Sequence, residues 1–233
     1  MKALTAAIYA LDNNSSIVLD MSAVKAVATT VESQELLYNA FRDTGSLESP
    51  ALKEFVFPTD QSNITSLKYT FYKCPNLTSV SPLPSGVKTL SNTFNSCLSF
   101  NQPIEIPSSV TDMAGTFQSC SSFNQPIEIP SGVTTITYML YSCRLFNQSI
   151  TIPASVTNIS MAFKVTAISG KTITIKSTKF DVGGVQGTNT FETYNTPTID
   201  LVLSPALYGA ISAENLAAKI WEKATWKSIT QAQ

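Results

Sequence analysis

Residues 100–107 read Phe-Asn-Gln-Pro-Ile-Glu-Ile-Pro, residues 123–130 repeat that string, and residues 146–153 give Phe-Asn-Gln-Ser-Ile-Thr-Ile-Pro. Phe100, Phe123 and Phe146 therefore mark a period of 23 residues. A fixed period of this size restricts the chain to a stack of equivalent coils, because one such unit is too small to bury its apolar residues and must lean on its neighbours.

Aligning the chain on that period gives columns. Ile64, Val87, Val110, Val133 and Val156 form one; Leu67, Leu90, Met113, Ile136 and Ile159 a second; Phe71, Phe94, Phe117, Leu140 and Phe163 a third. Pro84, Pro107, Pro130 and Pro153 form a fourth, and all four cysteines, Cys74, Cys97, Cys120 and Cys143, a fifth. Columns that hold size and polarity predict side chains stacked on their own equivalents, ~4.8 Å apart where coils pair as parallel strands. The firmer strand of each coil is Ile-X-Ile before a proline, at Ile104–Ile106, Ile127–Ile129 and Ile150–Ile152, continuing as Ile173–Ile175 and Ile199–Leu201. A second strand is expected through Val110–Met113 and its equivalents.

The ends differ from the middle. Between Pro75 and Val165 only six residues are charged, whereas both termini are richer in charge, as capping units with a polar outer face should be. Residues 1–54 read as an N-terminal cap with the first coil, containing a strand at Ile17–Met21. Residues 55–203 are the repeat solenoid, with a loop at 59–63 and a longer one within 176–198. Residues 204–233 are a helical C-terminal cap, signalled by Ser204-Pro205 and by Ser212 before an apolar face. The fold class expected is a mainly β repeat solenoid of parallel β coils with helical N- and C-terminal caps. Lys2 precedes a short apolar run, but Leu4, Ile8 and Leu11 fall at helical spacing, so an amphipathic first helix is expected rather than a signal peptide.

Composition narrows function. Charged residues make up 13% of the chain, the net charge is -1, and no Lys/Arg cluster stands out, which argues against nucleic acid. No apolar stretch is long enough to cross a bilayer, so no membrane insertion is expected. The cysteines invite a metal site or disulfides, but there is no His and no close Cys pair, so no metal and no cofactor is expected. A buried column of free thiols is the alternative to disulfides, which parallel side chains would strain. Glu105 and Glu128 are candidates for a catalytic pair, a cation or ligand contact, or a solvated sheet face. A flat ladder gives no means of separating their acidities. Asn101, Asn124 and Asn147 suit hydrogen bonds to turn backbone between coils.

Residues 100–122 resemble the BspA-type (Treponema pallidum-type) leucine-rich repeat, in the apolar residue, Ile-X-Ile-Pro, the two spacers, the apolar pair and the closing Phe-X-X-Cys. Four coils between Ile64 and Val165 match that pattern and those on either side match it loosely. The resemblance implies adhesion to host proteins or to other cells. It extends to phage and prophage tail- or fibre-like proteins, which end in a similar way to residues 201–230. The chain is thus expected to be no enzyme but a recognition or adhesion module, extracellular on a cell surface or virion, whose partner is a protein or glycan on a host or neighbouring cell. The alternative is a structural or accessory virion protein of a bacteriophage, bound to other virion proteins. The candidate ligand face is the outward side of the strands: Gln102, Glu105, Gln125, Glu128, Gln148 and Thr151.

Overall fold

The computed structural model describes residues 17–23, 52–177, 198–210 and 225–232. Their centre is built from the aligned columns. Phe71, Phe94 and Phe117 are fully buried and stack with ring centroids 5.6 Å apart at each step. A second column, Phe100, Phe123 and Phe146, runs beside it with steps of 6.1 and 6.2 Å. The columns interlock: Phe94 meets Phe100 at 4.5 Å and Phe117 meets Phe123 at 4.4 Å. Each ring removes roughly 150–250 Å² from water, so these six residues dominate the hydrophobic stabilisation of the central coils.

The stretch after each apolar pair, 67–74 in the first complete coil, is a run of turns whose amides divide into two sets. The amides of Thr70, Tyr72 and Cys74 donate back to the carbonyls of Leu67, Tyr69 and Phe71, closing successive turns. Those of Leu67, Tyr69, Phe71 and Lys73 donate to Thr89, Ser91, Thr93 and Asn95 of the next coil. The same four donations recur from Leu90, Asn92, Phe94 and Ser96, from Met113, Gly115, Phe117 and Ser119, and from Ile136, Tyr138, Leu140 and Ser142. The amide left over in each coil is met by a short side chain two residues earlier: Ser66, Thr89, Asp112, Thr135 and Asn158 accept from Lys68, Ser91, Ala114, Thr137 and Ser160. This turn chemistry is typical of Ser, Thr, Asp and Asn.

That run requires left-handed backbone twice per coil. Tyr69, Asn92, Gly115, Tyr138 and Met161 form one column of positive φ; Lys73, Ser96, Ser119, Ser142 and Val165 form the other. Each non-glycine residue held there costs about 1–2 kcal/mol, which the surrounding ladder of hydrogen bonds offsets. Only Gly115 must be glycine for space: a Cβ there would lie 2.5 Å from Asn92 Oδ1.

Cysteine Sγ atoms join the bonding between coils. Cys97, Cys120 and Cys143 donate to the carbonyls of Phe71, Phe94 and Phe117 at 3.1, 2.9 and 2.9 Å. All four thiols are free and buried. Thr166 continues the column, its hydroxyl donating to the Phe163 carbonyl at 2.8 Å. The column therefore serves as a weak buried donor as well as a small apolar filler. Thr93 and Thr116 make the same kind of contact to Leu67 and Leu90.

Among the described residues the strands are all parallel. One sheet has the order β1 (Ile17–Asp20), β2 (Leu52–Val56), β3 (Ser79–Val80); the other has β4 (Ile150–Ile152), β5 (Thr172–Ile175), β6 (Thr198–Leu203), β7 (Thr225–Gln231). The second expected strand is reduced to single parallel bridges, Ser66 to Thr89, Thr89 to Asp112, Asp112 to Thr135 and Thr135 to Asn158.

Ile104–Ile106 and Ile127–Ile129 do not form the strands their pattern predicts. Pro103 and Pro126 stand just before them and have no N–H for a ladder. Side chains also occupy the bonding positions: Gln102 Oε1 accepts from the Val80 amide and its Nε2 donates to the Val80 carbonyl. In the next coil Ser149 replaces the proline, its Oγ accepts from the Thr172 amide, and β4 begins at once.

No helical cap is seen among the described residues. At the C-terminal end, expected to be helical over 204–233, a six-residue helix α1 (Pro205–Ala210) is present and β7 occupies Thr225–Gln231, while the helix expected from Ser212 to Ala224 falls outside the described residues. The alternation Thr225-Trp226-Lys227-Ser228-Ile229-Thr230 is rich in residues that suit a pleated edge, and the unpaired edge of β6 offers the backbone partners. At the N-terminal end β1 lies where a strand was expected, while the helical residues expected within 1–16 and 24–51, and the longer loop at 178–197, fall outside the described residues.

Candidate functional site

The structure divides the six residues of the expected ligand face. Gln102, Gln125 and Gln148 are half-buried and bonded to neighbouring coils rather than presented to a partner. Gln102 brackets Val80, Gln125 Nε2 donates to Asn101 Oδ1 at 3.1 Å, and Gln148 Nε2 donates to the carbonyl and Oδ1 of Asn124, both at 3.0 Å. The asparagines form the connecting ladder. Asn101, Asn124 and Asn147 accept through Oδ1 from the amides of Asn124, Asn147 and Ser169 at 2.9, 2.8 and 3.0 Å.

Glu105, Glu128 and Thr151 are exposed, on the outward side of the strand edge. Neither carboxylate has a hydrogen-bond or ion-pair partner among the described residues. The outward column continues by register, Thr151 beside Thr174, Thr174 beside Val202 and Val202 beside Thr230. An open groove of about 540 Å³ lies along it, lined by Glu128, Thr151, Thr174 and Lys176 with Pro126 and Ile129 at its side. Thr174 and Lys176 belong to this surface although the sequence pattern did not single them out. The signal was present in Ile173-Thr174-Ile175, which repeats Ile150-Thr151-Ile152 one coil later.

The face has binding chemistry of a simple kind: hydroxyls, carboxylates at one end and a lysine at the other, over a buried isoleucine layer. Nothing on it converges as a nucleophile, base and oxyanion site would. Among the described residues no group of His, Cys, Asp and Glu could hold a metal ion, and no helix is long and apolar enough to cross a membrane. Burial pushes all four cysteine thiols well above their ordinary range, which disfavours the reactive thiolate.

The family described as "Mycoplasma protein of unknown function, DUF285" matches residues 35–151 and 65–176. No protein of curated function matches the chain. Among solved structures, a leucine-rich repeat protein from Bacteroides ovatus ATCC 8483 is similar at 19% identity with a TM-score of 0.50, over 79% of this chain and 47% of that one. The likeness is one of fold, and the chain spans about half the length of the structure it matches.

Proposed function

The chain belongs to the DUF285 family, and from that premise, joined to its leucine-rich-repeat-like β stack, we propose that it is a non-enzymatic recognition module working outside the cell. It adheres to an extended protein or glycan partner through the outward column Glu105, Glu128, Thr151 and Thr174. The observation that carries this reading is the parallel register that sets Thr151 of β4 beside Thr174 of β5 along an open groove that Glu128 also lines. A surface already held rigid by bonds between coils loses little conformational freedom on binding, which favours affinity for a partner contacted over many weak points.

Labelled protein applied to bacterial and animal cells tests the proposal. Wild type should be retained, and the variant Glu105→Gln, Glu128→Gln, Thr151→Lys should be retained less. Pretreating the cells with protease or with glycosidases assigns the partner to protein or glycan. Equal retention of the two proteins would remove this face from the function.

A further inference from the structure

A second surface, on the turn side of the stack, is closed at the backbone and open at its side chains. Every amide of residues 67–74 and of the equivalent stretches through Cys143 is taken, by the next coil, by its own turn or by a short side chain. A peptide strand therefore finds no ladder to join there. Residues 68–73, 91–96, 114–119, 137–142 and 160–165 contain no Asp or Glu, and their charges are Lys68, Lys73 and Lys164 alone. Three separated lysines are too few to grip a polyphosphate chain.

What this surface does offer is two tyrosine pairs with amides between them. Tyr69 and Tyr72 meet edge to face at 5.6 Å, and so do Tyr138 and Tyr141, three coils away. The intervening coils place Asn92 and Asn95, then Gly115 and Gln118, in the same columns. Asn95 and Gly115 are buried while Tyr138 is 37% exposed, so the floor is low and the aromatic rim stands above it. Asn95 Nδ2 donates to Asn92 Oδ1 at 2.9 Å, Asn92 Nδ2 donates to Ser91 Oγ at 3.3 Å and Asn95 Oδ1 accepts from Ser96 Oγ at 2.9 Å, so these amides form a fixed floor. Gly115 keeps the space that Asn92 occupies. Gln118 and the hydroxyls of Tyr138 and Tyr141 make no side-chain hydrogen bond to the described residues.

We propose that the trough formed by Tyr138, Tyr141, Gln118 and the Asn92–Asn95 amides binds an extended, neutral saccharide chain. A sugar ring has apolar C–H faces that pack on an aromatic ring and hydroxyls that pair with amide and phenol groups, so it matches the Tyr138 and Tyr141 rings together with the open Gln118 amide and phenol hydroxyls. Its lack of charge suits a face without acids and with few bases. The rim-to-rim distance of three coils, roughly 15 Å at strand-like spacing, calls for a chain of several sugar units. This site is on different residues from the strand face and does not depend on it.

Titration calorimetry of the whole chain with cellohexaose, maltohexaose, chitohexaose and xylohexaose provides the test. At least one should bind, and Tyr138→Ala with Tyr141→Ala should weaken it about tenfold or more, equivalent to about 1.4 kcal/mol. Gln118→Ala, a milder change, should weaken it too, while Ser108→Ala, at an exposed residue outside both surfaces, should leave it unchanged. Binding by none of the four overturns the proposal. So does full affinity in the Gln118→Ala protein or in a folded tyrosine variant, or loss of affinity in the Ser108→Ala protein.

Discussion

Gln102 holds Val80 at both of its main-chain groups, accepting from the amide at 2.7 Å and donating to the carbonyl at 2.9 Å. A side chain from one coil thus supplies what a neighbouring strand would otherwise supply. Gln102→Ala should destabilise the protein by about 1–3 kcal/mol, since it leaves a half-buried amide and carbonyl unpaired. Gln102→Glu should fall between the two, because a carboxylate still accepts from the amide but cannot donate to the carbonyl. Denaturant unfolding of the three proteins checks the order.

The left-handed columns give a pair of opposite expectations. Ser119 sits at φ 60° and Ser142 at φ 63°, with no side-chain hydrogen bond to the described residues, so Ser119→Gly and Ser142→Gly should each stabilise by about 0.5–1 kcal/mol, or cost nothing. Gly115→Ala should instead destabilise by about 1–3 kcal/mol: besides the positive φ, its Cβ would press on Asn92 Oδ1, which is held by Asn95. Thermal melts resolve the sign of each change, and a destabilising Ser119→Gly would contradict this account of the strain.

The buried thiols set an alkaline limit. Desolvation raises the folded-state pKa values of Cys74, Cys97, Cys120 and Cys143 above the unfolded ones. A raised value means that the stabilisation is complete below the ordinary thiol pKa of about 8.5 and is lost as the unfolded chain ionises above it. Unfolding free energy should therefore be level in this respect below about pH 8 and fall above about pH 9, by up to about 1.4 kcal/mol per pH unit for each thiol. Replacing Cys97 and Cys120 by Ala should make the fall shallower. A thiol reagent should react slowly with the native protein and fully after unfolding.

The repeat, the apolar columns and the buried cysteines were legible because stacking like on like leaves a period in the sequence. The asparagine ladder was legible for a similar reason, since a short amide at one fixed turn position has few other partners. Two things were not. The strand pattern Ile-X-Ile is the same at 104–106 and 150–152, yet the ladder forms only in the second, where Ser149 stands in place of Pro103 and Pro126. A single missing N–H outweighed three residues of alternation. The glutamines share the parity of the inward isoleucines, so alternation did not place them outward; their polarity alone did, and polarity does not register that a long amide can fold back onto the coil before it. At the C-terminal end, Thr225 to Thr230 alternates as a strand would, but the helix-start signals ahead of it governed the expectation.

The peptide groups that link the turn stretches all point one way. The unit whose carbonyl is Thr89's accepts from Leu67, and its amide, that of Leu90, donates onward to Asp112; the same holds for the other three units of each coil. Four files of peptides thus run along the stack like the single file of a helix, and their dipoles add rather than cancel. The stack has an electrical direction, amide-positive toward its C-terminal coils and carbonyl-negative toward its N-terminal ones. Gaining or losing one 23-residue unit changes the length of that field and leaves its sense intact.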